Sequence, residues 1–406
     1  ILPLGQDICF ISHFSKYNSL STILEILKKN INYQLEAVKI KYPLGEGEGV
    51  SKIHHTKYPL VQGPMSRVSD NPEFAFEVAK NGGLPVLAFG MMEEKELQNM
   101  LDETQRKLGK LPYGVGLLGY IESEIFRKQL EILKRYKPPF AFIAGGRPHH
   151  YSLLSKEGVC TYLHVPSHTL LKLYLEEEVR NFIFEGNEAG GHIGRYTGFV
   201  LWEKAVETLK EWIEKKGGQY NVLFAGGIIN EISSAIISVI LSPLQQLGCN
   251  TGIIVGTGYL FTEEAVKTGA IVKDFQKLLI DAKETVILDS GGGYRIRCVP
   301  NQFCKKFVEE KEKLIKEGKT PQEIRQKLED LTLGRLRIAA KAIAFNPESL
   351  KNPEIPPLRK VSAPERKKEG IYMSGDGAKI LNKKLKIAEL HENICVEGEK
   401  MIENLS

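Results

Sequence analysis

Eight short apolar runs, separated by stretches of helical periodicity, constrain this chain more than any other feature. They are Tyr58–Met65, Gly83–Phe89, Tyr113–Leu118, Phe140–Gly145, Cys160–Val165, Arg180–Glu185, Asn221–Gly227 and Gly252–Tyr259, and most end at or near a glycine. Each is long enough for one strand closed by a turn. The segments between them carry helix signals. Asn71-Pro72 sets a capping side chain before a proline at the first helical position, and Gly82 is placed to close that helix. Leu97, Met100, Leu101 and Leu108 share one helix face. Further helices are expected over Ser123–Tyr136, Thr169–Val179, Val200–Lys216, Glu231–Leu247 and Thr262–Ala282. Eight β-then-α units allow a closed (β/α)8 barrel or an open doubly wound sheet, both of the α/β class. Eight is the barrel's own strand count, and runs seven and eight both end in glycine-rich turns where barrels commonly hold a phosphate. The TIM barrel is therefore the expected fold.

The remaining sequence divides around that rhythm. Residues 1–55 read as an N-terminal extension and linker, with helical spacing over Ser19–Ile31 and a flexible charged connector at Gly45–Gly49. The barrel is expected over 56–285. A loop and helical subdomain over 286–345 begins with Asp289–Arg297, which reads as a flexible basic loop. Residues 346–406 combine a connector rich in proline (Pro347, Pro353, Pro356, Pro357, Pro364) with an amphipathic tail over Lys379–Glu403. The sequence starts at Ile1 with no signal-like segment, which is compatible with a piece of a longer polypeptide.

Composition narrows the function classes. With 42% hydrophobic and 26% charged residues the chain can bury a large core and is not a disordered segment. No basic block with interleaved aromatics offers a nucleic-acid groove, and no apolar run reaches the length of a membrane span. The six cysteines are scattered without a C-x-x-C pair, as expected of reduced thiols in a cytoplasmic protein.

The candidate chemistry sits in Phe184–Gly194, where an apolar run ends abruptly in Gly186, Gly190, Gly191 and Gly194 around His192. Glycine lets a planar ligand lie against the backbone, and Glu188 and His192 add a carboxylate and a group that titrates near neutrality. Barrel active sites lie at the C-terminal strand ends. That end gathers Gly63, Pro64, Met65, Gly116, Gly145–Arg147, His164, Glu188–His192, Gly226, Gly227, Gly256, Thr257 and Gly258. Backbone amides of Gly226, Gly227, Gly256 and Thr257, with the Thr257 hydroxyl, suit one phosphate. No dinucleotide fingerprint accompanies them, which favours FMN over FAD. No metal site is expected. His164 and His168 are four apart, but Pro166 lies between them and Ser167 reads as a helix cap. His54-His55 and His149-His150 read as exposed turn residues.

Glu185–Gly194 (Glu-Gly-Asn-Glu-Ala-Gly-Gly-His-Ile-Gly) resembles the histidine motif of the nitronate monooxygenase (2-nitropropane dioxygenase) family, which also includes flavin-dependent enoyl-acyl carrier protein reductases. Tyr58–Met65 resembles that family's first barrel strand. Phe224–Ile228 and Gly256–Tyr259 resemble its phosphate-binding ends. Gln62–Asp70 and Ala144–Pro148 resemble the version embedded in polyketide and polyunsaturated fatty acid synthases.

The resemblance implies an FMN whose ring lies near Pro64, Met65 and the Gly190-Gly191 turn, faced by His192 as the catalytic proton-transfer group. Two reactions fit: reduction of an enoyl thioester with NADPH or NADH as reductant, or oxidation of a nitronate with O2. A barrel that keeps the fold without catalysis is a third possibility. For the reductase, Arg147, Arg295 and Arg297 are expected to meet the phosphate of a carrier-bound acyl substrate, with an acyl carrier protein or neighbouring synthase domains as partners and a homodimer allowed. One departure stands out. Many family members carry a flavin-contacting asparagine where this chain has Gly116, a change that would admit a closer ring or a larger substrate.

Overall fold

The computed structural model describes residues 5–119, 124–352 and 354–405. Eight parallel strands close into a barrel: β1 (Leu60–Gln62), β2 (Leu84–Ala88), β3 (Gly114–Leu118), β4 (Phe140–Ala144), β5 (Cys160–His164), β6 (Asn181–Glu185), β7 (Asn221–Ala225) and β8 (Asn250–Val255). Closure is direct, since β1 pairs with β8 in the register Leu60↔Ile253 to Gln62↔Val255. The eight runs read from sequence are these eight strands, and the alternative of an open sheet is set aside.

Two side-chain layers explain why the apolar runs are continuous. Val61, Val86, Phe142, Tyr162, Ile183, Leu223 and Ile254 belong to the cluster that fills the barrel. Leu60, Leu87, Ala141, Leu163, Phe182, Phe184, Phe224 and Ile253 pack outward against the helices. A strand buried on both faces has no room for polar alternation. The helices start where local chemistry starts them. The Asn71 side chain accepts the Phe74 N–H at 3.0 Å ahead of Pro72–Lys80, and Ser167 accepts the Leu170 N–H at 3.2 Å ahead of His168–Glu176. The expected helix over Thr262–Ala282 is two shorter ones, Glu263–Lys267 and Lys273–Ile280, parted at Gly269 with φ +75°. The start of the helix expected from Ser123, along with Ile1 and Pro353, lies outside the described residues.

The N-terminal connector differs from its reading. Gly49, at φ +52°, lies so close to the barrel that a Cβ there would sit 1.9 Å from the Thr251 carbonyl oxygen. The Val50 N–H donates to that carbonyl at 3.0 Å, and the Val50 side chain joins the barrel-filling cluster. Gly45–Gly49 is thus a docked segment, with Gly49 set by close approach and Gly47 by its positive φ of +73°. His54 follows it into the interior, where its Nε2 meets the Tyr162 hydroxyl at 2.9 Å. His150 is also buried, edge-on to Phe126. Both expectations of an exposed histidine are corrected, since an aromatic pocket and a polar partner receive each ring. Their neighbours His55 and His149 are exposed.

Beyond the barrel the basic loop is a β-hairpin. Val286–Gly291 and Tyr294–Cys298 pair antiparallel, and the second strand also pairs with the two-residue strand Gly191–His192. The proline-rich connector likewise contains a strand, Leu358–Lys360, paired with Ile343–Phe345. The tail is not one helix. It runs from a short turn at Asp376–Lys379 into Ile387–Glu392 and, after a looser turn, Gly398–Glu403. No described helix is long and apolar enough to cross a membrane.

Candidate active site

Every barrel strand sends its C-terminal end to one cavity of about 250 Å³. The lining includes Gly63, Pro64, Met65, Gly116, Gly190, Gly191, His192, Gly226, Gly227, Gly256 and Thr257, all expected from sequence. Glycine is demanded here by geometry at specific places. Gly227 has φ +74° and Gly191 has φ +78°, both in the left-handed region. Gly190 abuts the backbone of the returning tail, so that a Cβ would lie 2.6 Å from the Gly375 nitrogen.

Gly116 has a different reason from the one expected. A Cβ on Gly116 would lie 2.3 Å from Pro64 Cβ. The proline fills the volume that a side chain at 116 would need, so the glycine makes room for Pro64 at the cavity wall.

Other expected residues stand apart from the cavity lining. The Glu188 carboxylate accepts the Gly198 N–H at 2.8 Å and its carbonyl accepts the Asp376 N–H at 2.8 Å, so it braces the glycine loop. Gly258 packs against Val255 and Leu390. Arg147 is exposed at the N-terminus of Pro148–Ser155. Arg297 is 8% exposed and donates to the Asn187 carbonyl, the Thr285 hydroxyl and Asp376. It serves the fold in place of the expected phosphate contact. Arg295 lies 3.9 Å from Asp289 within the hairpin.

His192 is held by its backbone. Its register partner is Ile296 and that of Gly191 is Arg297, and the Ile193 N–H donates to the Arg295 carbonyl at 3.0 Å. The residue is exposed and lines the cavity, and the protein atoms near its ring strip part of its hydration. That desolvation lowers its pKa below the ordinary imidazole value, and the Glu185 carboxylate opposes the shift. Glu185 and His164 also line the cavity, with His164 Nδ1 3.4 Å from Glu185 Oε2 and the buried His164 Nε2 unpartnered among the described residues. Glu185 was missed as a site residue because it closes an apolar strand, where a carboxylate reads as a boundary.

Residues far along the chain complete the wall. Phe275, Leu336, Met373 and Gly377 line the cavity, and the Gly375 N–H donates to the Thr257 hydroxyl oxygen at 2.8 Å. Nothing local in the sequence marks a tail that returns over the mouth. Among the described residues the N–H groups of Gly226, Gly227 and Thr257 donate to no protein oxygen. They are free for an anionic ligand.

Comparison with known proteins agrees with this fold. A family model described as Nitronate monooxygenase matches residues 117–397. No curated protein matches the chain. Among solved structures, FabK from Thermotoga maritima is similar with a TM-score of 0.68 at 21% identity, covering 87% of this chain and 96% of that one. A nitroalkane oxidase from Streptomyces ansochromogenes gives 0.63 at 16% identity, over 88% and 99%. The enoyl reductase domain of MlnA, from the macrolactin biosynthesis cluster of Bacillus amyloliquefaciens, gives 0.65 at 12% identity, over 89% and 98%. At such identities these likenesses concern the fold.

Proposed function

The chain belongs to the nitronate monooxygenase family of oxidoreductases, and we propose that it is an FMN-dependent reductase of enoyl thioesters that draws on NADPH or NADH. The observation that carries this reading is His192, whose imidazole opens into a cavity walled mainly by glycine backbone and apolar side chains, with Ser66, His164, Glu185 and Thr257 as its other polar groups. Leu117, Leu118, Ile229, Leu260, Leu336 and Met373 give an acyl chain apolar surface on several sides. A small nitronate has no use for that much of it.

The residues present fit FMN on three counts. The amides of Gly226, Gly227 and Thr257 have no protein acceptor, which suits one phosphate. Gly190 and Gly191 present bare backbone to a flat ring. The buried His164 Nε2 lacks a partner that a polar ligand edge would supply. Bound there, a flavin would supply the two-electron exchange. The chain's own part is the proton. His192 would carry it to or from the substrate carbon next to the electron-withdrawing group, with its ring position set by the Gly191–His192 strand pairing. Glu185 favours the protonated form needed by a reductase.

Nitronate oxidation remains the second reading because burial lowers the His192 pKa overall. A neutral imidazole at pH 7 is suited to removing an α-proton. Visible absorption after reconstitution with FMN and removal of free flavin tests the common ground of both readings. A stoichiometric flavin spectrum is expected. A folded protein that retains no flavin contradicts both.

A further inference from the structure

We propose that Arg67 and Arg337 form a phosphate-binding subsite at the rim of the cavity, separate from the glycine turns of β7 and β8. The ligand is a phosphate carried by an elongated substrate or co-substrate whose reactive end lies inside. The inference rests on the proposed reading, in that such a molecule must enter this cavity.

Arg67 stands between Ser66 and Val68, and Arg337 follows Leu336; all three of those neighbours line the cavity. Arg337 and Lys341 lie four residues apart on one face of the helix Arg335–Lys341, and Lys341 reaches the same Asp70 carboxylate that Arg67 approaches, which sets that helix face against the β1 turn. The Arg67 side chain is only a quarter exposed, yet its nearest carboxylate oxygens, on Asp70 and Glu96, are both 3.9 Å away. That is beyond hydrogen-bonding reach. Arg337 has no ion pair among the described residues. Burial first, and then the charge of Arg67, hold it below the usual guanidinium value, with Glu96 and Asp70 opposing.

The local carboxylates do not neutralise this cluster. Lys341 takes Asp70 at 3.1 Å, so three cations face two acids. Each guanidinium offers five donors in a planar fork that matches phosphate oxygens, and among the described residues none of those donors reaches a protein acceptor. Arg67 also has φ +59°, a left-handed conformation uncommon for a residue with a Cβ. Two half-buried arginines with unspent donors, each next in sequence to residues that line the cavity, are arranged for an anion.

The test uses FMN-reconstituted wild-type protein and the variants Arg67→Gln, Arg337→Gln and Arg337→Lys. Dissociation constants are measured for 4′-phosphopantetheine against pantetheine, and for NADPH against NADH. Charge-assisted hydrogen bonds to phosphate correspond to a loss of about tenfold or more for each Gln variant. The expected result is that loss for one phosphate-bearing probe, with its phosphate-poor counterpart shifting less than about twofold and Arg337→Lys, which keeps the charge without the planar fork, falling between wild type and Arg337→Gln. Loss confined to 4′-phosphopantetheine identifies the phosphate of an acyl carrier arm. Loss confined to NADPH identifies the nucleotide phosphate. Equal changes within both pairs, or no change, overturn the subsite. Flavin absorbance of each variant separates a failure of this subsite from a failure of the flavin reading.

Discussion

Arg297 and Asp376 form an ion pair at 2.9 Å, one residue along from the register pair Ile296–His192. The hairpin that holds His192 is thereby tied to the tail that closes the cavity, although the two lie far apart in sequence. Thr285 joins them by hydrogen-bonding to both partners.

Replacing Arg297 with methionine removes three hydrogen bonds and leaves Asp376 short of its partner. We expect a loss of about 2–4 kcal/mol in unfolding free energy, read from denaturant titration. Burial pushes the Asp376 carboxyl up, but hydrogen bonds from Thr285 and Lys379 and the charge of Arg297 outweigh it and hold the carboxyl below its usual range. A depressed carboxyl stabilises above its unfolded value of about 3.9, and that contribution fades as pH falls below it. Acidification below about pH 4 should therefore destabilise wild type more than Asp376→Asn. Equal acid sensitivity would remove the clamp.

A second pH effect lies in the tail. His391 accepts from the Tyr259 hydroxyl at Nε2 and faces the Asn81 carbonyl through Nδ1, both at 2.8 Å. Burial lowers its pKa to about 4, with the Asn81 hydrogen bond opposing. The unfolded chain takes up that proton near pH 6.5, so stability is complete above this value and declines as pH falls toward about 4. Tm measured over this range should slope less in His391→Gln, leaving the part due to His54, which burial pushes down to about 3. An unchanged slope would contradict the assignment.

Gly190→Ala tests the contact between tail and mouth. The new methyl would meet the backbone of Ser374 and Gly375 at 2.6 Å, and backbone cannot swing aside as a side chain does. A loss of about 1–3 kcal/mol and faster proteolysis near residue 375 are expected. A variant as stable and as protease-resistant as wild type would show that the tail adjusts without cost.

The barrel was legible because each strand is buried on both faces and stands as an apolar run, while caps such as Asn71 and Ser167 act within three residues of themselves. The glycine and histidine positions at the mouth were legible for the same local reason. What was hidden depends on distant pairing. Asp289–Arg297 reads as a loop until Tyr294–Cys298 is given Val286–Gly291 and Gly191–His192 to pair with. Gly116 owes its identity to Pro64, and Arg297 is withdrawn from ligand duty by Asp376. Local periodicity carries no sign of any of these partners.

His192→Ala addresses the chemistry without disturbing the proposed phosphate turns, which lie on other strands. The variant is expected to retain FMN while turnover falls by about 10²–10⁴-fold, the range for losing a positioned proton-transfer group. Near-normal turnover in the flavin-loaded variant would remove His192 from the mechanism.

The most direct measurement is an anaerobic reaction of the FMN-loaded protein with NAD(P)H and an enoyl thioester, set beside oxygen uptake with a nitronate. Enoyl reduction needs a reduced nicotinamide and no oxygen, so one saturated thioester should form per nicotinamide oxidised, with little oxygen uptake from the nitronate. Rapid oxygen uptake with the nitronate and no anaerobic thioester reduction would contradict the reductase and assign this barrel to nitronate oxidation.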